Sequence, residues 1–171
     1  MMRSLDIRSL TLRNDINLSK SLSAITENTL PTVKQQANRV IGSADGRTFL
    51  TLYEDGSLYV TGTSFGNLRN NLAMVSDRLL TDRTIEEPIE CGRIVTGQLD
   101  FGEHIDKRVL QRAASIKISS TELGTMIRFA GEAVVELRFV GVRGLATIDM
   151  DAPVDIAEKT LEQFDSVYRA A

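Results

Sequence analysis

The fold is decided by residues 115–150, which read SIKISSTELGTMIRFAGEAVVELRFVGVRGLATIDM. Apolar and polar side chains alternate along this stretch in four short runs, and such alternation predicts half-buried β-strands. The last run places Ala146, Ile148 and Met150 on the same face as the apolar residues of the run before it. The stretch therefore predicts an antiparallel meander with one apolar face and one charged face.

The register of this meander depends on one loop. Matching the apolar pair Ile127 and Phe129 to the next apolar pair requires a three-residue loop, whereas the chemistry of Gly131-Glu132 favours a two-residue loop. We expect the apolar matching to decide, because a slip of one residue would place Arg128 in the core.

Two helices are predicted from apolar residues at one-face spacing, and each would cover an apolar sheet face. The first follows Gly66, is capped by Asn67, and carries the stripe Leu68, Leu72, Val75 and Leu79. The second follows the meander and carries the stripe Val154, Ala157, Leu161, Phe164 and Tyr168. Strands and helices in this order predict an α+β fold, in which the C-terminal helix covers the meander and a second β-hairpin is followed by its own helix.

The second hairpin is predicted over residues 48–61, where two apolar runs flank Asp55-Gly56. An Asp-Gly pair favours a two-residue type I′ turn. With that turn, Leu52 pairs with Tyr59, and Tyr53 lies on the opposite face of the hairpin.

Residues 46–68, GRTFLTLYEDGSLYVTGTSFGNL, resemble one repeat of the RCC1 type of β-propeller. In that family a strand, a Glu-Asp-Gly turn, a second strand and a glycine-bounded loop form part of a blade. A closed propeller of this kind needs about seven repeats, and this chain shows one. The resemblance therefore concerns the hairpin, and neither nucleotide exchange nor chromatin binding is carried over from it.

Residues 1–38 are predicted to form an N-terminal arm outside a single α+β domain of residues 39–171. The arm begins with an edge strand over 3–12 and continues with a helix that Asn14 or Asp15 caps and Pro31 ends. It is too poor in large apolar residues to have its own core, so we expect it to dock on a neighbouring surface. The residues predicted to make that partner interface are Leu18, Leu22, Ile25 and Leu30.

The composition excludes several classes of site and partner. The chain has 171 residues, one cysteine, one histidine and a net charge of −3. A disulfide framework, a multi-cysteine cluster and a His-rich metal site are therefore excluded, and neither a metal nor a cofactor is predicted. We expect no nucleic-acid partner, because acidic residues are interleaved with the basic ones and aromatic residues make up 5%. No apolar run is long enough to span a bilayer, so we expect a cytoplasmic protein without a membrane partner.

Each candidate catalytic group lacks a further group or motif that its chemistry would require. Asp100-Phe101-Gly102 matches the metal-binding triplet of protein kinases, but no phosphate loop or catalytic loop accompanies it. His104 with Asp106 could form a base with an orienting carboxylate, and Cys91 could be a nucleophile with His104 as its base. The paired carboxylates Glu86-Glu87 and Asp149-Asp151 are expected to be solvated or to cap a helix. No catalytic residue and no small-molecule substrate is therefore predicted.

These observations favour a non-enzymatic assembly subunit. We expect it to self-associate through its arm or to bind other structural proteins, as components of bacteriophage heads and tails do, in the host cytoplasm or the virion. One alternative is a monomeric adaptor that captures another protein along a hairpin edge. A second alternative is a small enzyme around Cys91 and His104.

Overall fold

The computed structural model describes residues 6–25, 32–36, 38–43, 49–102, 110–122, 124–139 and 144–170. These residues form an α+β fold of antiparallel strands and two long helices. The strands are β1 (Asp6–Asp15), β2 (Thr32–Gln36), β3 (Arg39–Ser43), β4 (Phe49–Tyr53), β5 (Ser57–Gly62), β6 (Arg93–Asp100), β7 (Ile116–Thr121), β8 (Gly124–Ala130), β9 (Val134–Phe139) and β10 (Leu145–Pro153). The helices are α1 (Phe65–Thr81) and α2 (Val154–Ala170). In the described part of the chain, neither helix is long and apolar enough to cross a membrane.

The chain divides into two compact units. The N-terminal unit comprises residues 11–93, and the C-terminal unit comprises residues 1–10 and 94–171. The division predicted from the sequence, an arm of 1–38 and a domain of 39–171, does not coincide with these units, because residues 11–38 group with residues 39–93. Strand β1 contributes its first half to one unit and its second half to the other.

In the N-terminal unit the strand order is β2-β3-β4-β5-β1, and α1 packs against β5. The predicted stripe of α1 is confirmed, since Leu68, Leu72, Val75 and Leu79 are all buried. They face the buried residues of the sheet, which include Val40, Leu50, Leu52, Leu58 and Val60. Helix α1 begins two residues before the predicted cap: the Ser64 hydroxyl accepts from the Asn67 backbone N–H at 3.0 Å.

The β4–β5 loop differs from its prediction by one residue. Leu52 pairs with Leu58 and Thr51 with Tyr59, so three residues, 54–56, connect the strands. Gly56 ends this loop with φ +91°, a left-handed conformation that glycine adopts without steric strain. The extra residue changes the parity of β5, and Tyr59 consequently lies on the same face as Tyr53.

The segment that follows β1 is not the predicted helix. It contains a short 3-10 turn, Leu22–Ala24, and is held against the end of α1 by two contacts. Ser19 donates its backbone N–H to the Thr84 carbonyl at 2.8 Å, and the Lys20 ammonium lies 3.0 Å from the Asp82 carboxylate. The sequence predicts a helix over this segment, but the tertiary contacts of the segment override that local preference.

In the C-terminal unit the strand order is β1-β6-β10-β9-β8-β7, and α2 packs against β10. The predicted register is confirmed: Phe129 pairs with Val135 and Ile127 with Leu137, across a three-residue loop. Strand β1 lies beside β6 in this unit and beside β5 in the N-terminal unit. The buried core under α2 is rich in aromatic residues, namely Phe101, Phe129, Phe139, Phe164 and Tyr168.

The two units have the same order of elements. Among the residues that the structure describes, each unit has a first strand, then four strands that pair consecutively, and then a long helix. The equivalent strands β2 and β7 begin at residues 32 and 116, a separation of 84 residues, and β4 and β9 begin at 49 and 134, a separation of 85. This repeat is longer than the 20–50-residue periods that are typical of repeat proteins. Its two copies resemble each other in the spacing of their strands more than in their amino acids.

Candidate functional site

Two arginines and two tyrosines lie together on the sheet face of the N-terminal unit that is opposite α1. Arg13 comes from β1, Tyr59 from β5, Tyr53 from β4 and Arg39 from β3. The buried residues of these strands point toward α1, so the alternating residues point the other way. We call these four residues the arginine–tyrosine face.

The four side chains contact one another in sequence across the strands. The Arg13 guanidinium lies 5.7 Å from the centre of the Tyr59 ring, within the range of a cation–π interaction. The Tyr59 and Tyr53 rings meet edge to face with their centres 5.8 Å apart. Arg39 reaches the Tyr53 hydroxyl at 3.5 Å and donates to the Gln36 side-chain oxygen at 2.7 Å. These contacts hold both rings in place while leaving them partly exposed.

The charges near this face are mostly solvent-exposed. Arg13 is 45% exposed and lies 3.4 Å from the Asp15 carboxylate, an ion pair that water screens strongly. The Ser57 backbone N–H donates to the Asp55 carboxylate at 2.9 Å and is the main reason that the pKa of Asp55 lies below its usual value. Asp55 therefore remains ionised and holds the β4–β5 loop in its three-residue form.

An open depression of about 400 Å³ adjoins the face, lined by Asn38, Tyr53, Glu54 and Asp55. The Glu54 backbone N–H donates to the Asn38 carbonyl at 3.0 Å, which ties the β2–β3 turn to the β4–β5 loop. Within the described residues, neither the Glu54 carboxylate nor the Asn38 side-chain amide has a hydrogen-bond partner. Both groups are exposed and available to a ligand.

The equivalent sheet face of the C-terminal unit is ionic. Lys117, Arg128, Glu136 and Asp149 lie at consecutive positions across β7, β8, β9 and β10. Arg138 lies 3.3 Å from the Asp149 carboxylate and 3.9 Å from the Glu136 carboxylate. The described strand residues on this face include no aromatic side chain.

The Asp100-Phe101-Gly102 triplet has a structural role. Phe101 is 2% exposed and packs against Phe139, Phe164 and Tyr168 with ring centres 5.2–5.9 Å apart. The Gly102 backbone N–H donates to Asp100 at 2.8 Å and, together with Arg8 at 2.7 Å, lowers the pKa of Asp100. The triplet thus closes a turn and fills the core.

The other candidate catalytic groups are not brought together in the described residues. Cys91 is exposed, and its backbone carbonyl accepts from the Asn14 side chain. His104 and Asp106 lie outside the described residues, so a pairing of Cys91 with His104 stays a prediction. The described part of the chain contains no group of three Cys, His, Asp or Glu residues that could hold a metal ion.

The predicted partner-interface residues have these positions. Leu22 and Ile25 are buried by their own chain, with 6% and 4% of their surface exposed, and Leu18 is half-buried. Leu30 lies outside the described residues. Leu22 and Ile25 therefore do not need a partner surface to be buried.

The arginine–tyrosine face was not predicted from the sequence, because the predicted β4–β5 register differs from the observed one by a single residue. The expected two-residue turn placed Tyr53 and Tyr59 on opposite faces of the hairpin. Placing the left-handed glycine at the end of a three-residue loop, which is common in hairpins, would have brought the two rings together. The signal was therefore present in Glu54-Asp55-Gly56.

Comparison with known proteins identifies the fold. No protein-family model matches the chain, and no curated protein matches it. Among solved structures, the chain is similar to Methanococcus jannaschii TBP, with a TM-score of 0.54, 13% identity, and coverage of 98% of this chain and 99% of that chain. At that identity the similarity shows the fold alone.

The resemblance of residues 46–68 to an RCC1-type propeller repeat is wrong as a guide to the fold, and the similarity to TBP corrects it. The similarity to TBP extends over nearly the whole chain, whereas the repeat-like spelling covered residues 46–68. The hairpin β4–β5 exists, but helix α1 follows it at Phe65, where a blade would have its glycine-bounded loop. A well-formed three-residue hairpin loop explains the Glu-Asp-Gly spelling without kinship to a propeller.

Proposed function

We propose that this protein binds single-stranded nucleic acid through the arginine–tyrosine face. The observation that carries the proposal is the continuous contact of Arg13, Tyr59, Tyr53 and Arg39 across four strands. Partly exposed rings on a sheet are surfaces on which unpaired bases can stack. Each such stacking contact contributes about 1–3 kcal/mol and is tolerant of sequence.

The two arginines supply the positive charge that the phosphate backbone requires. Arg13 and Arg39 flank the tyrosine pair, so a strand stacked on the rings brings its phosphates within reach of both guanidinium groups. The net charge of −3 argues against binding over the whole surface, but it does not describe this face. Neutralising two phosphates predicts that log K falls with log salt with a slope of about −1.4.

The protein contains a spectroscopic probe of this site. It has three tyrosines and no tryptophan, and Tyr168 is 1% exposed in the core under α2. Bases that stack on Tyr53 and Tyr59 should quench most of the accessible tyrosine fluorescence. Titration with unlabelled single-stranded DNA and RNA, monitored by this emission and by the anisotropy of labelled oligonucleotides, tests the proposal directly.

Two variants of the face and one matched control sharpen this test. Tyr59→Leu removes a ring but keeps an apolar sheet residue, and it should weaken binding about tenfold or more. Arg13→Gln should weaken binding and reduce the salt slope by about 0.7. Arg78→Gln changes the net charge equally at an exposed position on α1 and should leave both quantities unchanged.

Two outcomes with single strands would overturn the proposal, and one outcome with a duplex would do so as well. One is the absence of quenching and of salt-dependent binding for every single strand tested. The other is equal weakening by Arg13→Gln and Arg78→Gln, because binding would then follow net charge instead of this face. Tighter binding of a duplex than of either single strand would reject the stacking mechanism.

The assembly role remains a prediction without a specific contact in its favour. Burial of Leu22 within its own unit implies that Leu22→Asp should destabilise the monomer. The assembly interpretation instead expects the core to remain folded while association weakens. Light scattering combined with circular dichroism on this variant separates the two expectations.

A further inference from the structure

We infer that the depression lined by Asn38, Tyr53, Glu54 and Asp55 is a pocket for a single guanine base. This inference rests on the proposed function, because the base would belong to a strand held on the arginine–tyrosine face. Tyr53 belongs to both surfaces, so a strand stacked on this ring would bring its next base to the depression. The volume of about 400 Å³ is large enough for one base.

The unpartnered groups of the depression are complementary to one base edge. Guanine presents two adjacent donors, N1–H and the N2 amino group, beside one acceptor, O6. A carboxylate has two acceptor oxygens and takes such a donor pair in a bidentate way, and the amide of an asparagine can donate to the acceptor. Glu54 supplies the carboxylate and Asn38 supplies the amide, and neither has another side-chain partner among the described residues.

The other bases fit this pair of groups less well. Adenine and cytosine each place an unprotonated ring nitrogen where the carboxylate requires a donor, and the two acceptors repel each other. Uracil and thymine offer one ring N–H flanked by two carbonyl oxygens, so one carboxylate oxygen would face an acceptor. Guanine alone pairs donors with both oxygens of Glu54.

The second carboxylate of the depression, Asp55, is already engaged. It accepts the backbone N–H of Ser57 at 2.9 Å and thereby fixes the loop that carries Glu54. We assign Glu54 to base recognition and Asp55 to positioning. The backbone hydrogen bond from Glu54 to the Asn38 carbonyl holds the two recognition residues side by side.

The experiment uses the full chain and nine-nucleotide thymidine oligomers that carry one central guanine, adenine, cytosine or inosine. Inosine keeps N1–H and O6 but lacks the N2 amino group, so it isolates one hydrogen bond to Glu54. The wild-type protein should bind the guanine oligomer about five- to tenfold more tightly than the inosine oligomer. Glu54→Gln should abolish that difference, because an amide offers one acceptor oxygen and presents its NH₂ group to the other donor.

A matched control and separable outcomes keep the inference testable. Glu86→Gln removes an exposed carboxylate elsewhere in the same unit and should preserve the guanine preference. Equal binding of all four oligomers by the wild-type protein, with normal tyrosine quenching, overturns the guanine pocket and leaves the proposed function intact. Persistence of the preference in Glu54→Gln overturns the assignment to this residue. Absence of binding to every oligomer overturns the proposed function, and the pocket with it.

Discussion

The two units share one order of elements but have different sheet faces. In the N-terminal unit, Tyr53 and Tyr59 occupy diagonal positions on the fourth and fifth strands and meet edge to face. In the C-terminal unit, the equivalent diagonal positions hold Arg138 and Asp149, which form an ion pair at 3.3 Å. The buried residues maintain the order of elements that the two units share, whereas the exposed diagonal positions can hold either an aromatic pair or a salt bridge.

The cores under the two helices differ as well. Helix α1 contributes four aliphatic residues and one aromatic residue, Phe65, to its core, whereas α2 contributes Phe164 and Tyr168 to a cluster of rings. Phe164 contacts Phe101 and Phe129 with ring centres 5.9 and 5.4 Å away. The same strand order is therefore stabilised by two kinds of packing.

The largest effect is expected from truncating these cores. Phe164→Ala should lower the free energy of unfolding by about 3–5 kcal/mol, because it removes a fully buried ring and its contacts with three other rings. Leu68→Ala, equally buried under α1, should lower it by about 2–5 kcal/mol. Urea denaturation followed by circular dichroism measures both, and a loss below about 1 kcal/mol for Phe164→Ala would contradict the described packing.

The two three-residue loops should differ in their tolerance of a methyl group. Gly56→Ala should destabilise the protein by about 1–3 kcal/mol, since Gly56 has φ +91° and its added Cβ would overlap the Ile16 carbonyl oxygen. Gly131→Ala should have a smaller effect, because Gly131 has no left-handed φ and its Cβ would meet two side chains, Gln163 and Phe129, instead of backbone. Thermal unfolding of both variants compares them, and equal destabilisation would contradict the role given to Gly56.

The exchange of the diagonal pair tests the comparison itself. The double variant Tyr53→Arg, Tyr59→Asp gives the N-terminal unit the ion pair of the C-terminal unit. It should fold with a loss of about 1 kcal/mol, since an aromatic pair is replaced by an exposed salt bridge. Oligonucleotide affinity should fall by about tenfold or more.

The reciprocal double variant, Arg138→Tyr, Asp149→Tyr, is the control for this exchange. It leaves the arginine–tyrosine face unchanged, so its affinity should be no lower than that of the wild-type protein in the anisotropy assay. Loss of affinity in the reciprocal variant would place the binding surface on the C-terminal unit and would contradict the proposed function.

The smallest effect is expected from two aspartates that hold turns. The pKa of Asp100 is lowered by the Gly102 N–H and by Arg8, and that of Asp55 by the Ser57 N–H. A depressed native pKa stabilises the fold above the unfolded value of 3.8, and this stabilisation is lost as the pH falls through the native pKa. Asp100→Asn should therefore be slightly less stable than wild type at neutral pH and should converge with it in acid. A difference that grows below pH 3.8 would contradict this sign.

The sequence predicted the buried half of this fold better than its exposed half. The register of β8 and β9 followed from Arg128, whose burial would be costly, and the helix stripes followed from their apolar spacing. The β4–β5 register was wrong because both of its faces carry large side chains, so no polar residue penalised a slip. The prediction for the segment around Leu22 was wrong because contacts with Asp82 and Thr84, which follow α1 and are distant in sequence, decide its conformation.

The arginine–tyrosine face was not predicted for the same reason, since its residues lie at exposed positions of the sheet. Arg13 and Arg39 are separated by 26 positions, and only the strand order brings them to opposite sides of one tyrosine pair. Composition counted 5% aromatic residues and averaged the charges to −3, and both values conceal a local grouping. The resemblance at residues 46–68 described the loop correctly but assigned it to the wrong architecture.

Strand β1 has a consequence for dissecting the protein. Its residues 6–10 belong with residues 94–171, while its residues 11–15 belong with the remainder of the N-terminal unit. A single break after Arg93 would therefore leave the fragment 94–171 without residues 6–10, the half of β1 that belongs with it. The other fragment would keep those residues without the strands beside which they belong. We expect such fragments to be poorly stable apart and to reconstitute when mixed, so that the severed chain reassembles by supplying one strand in trans.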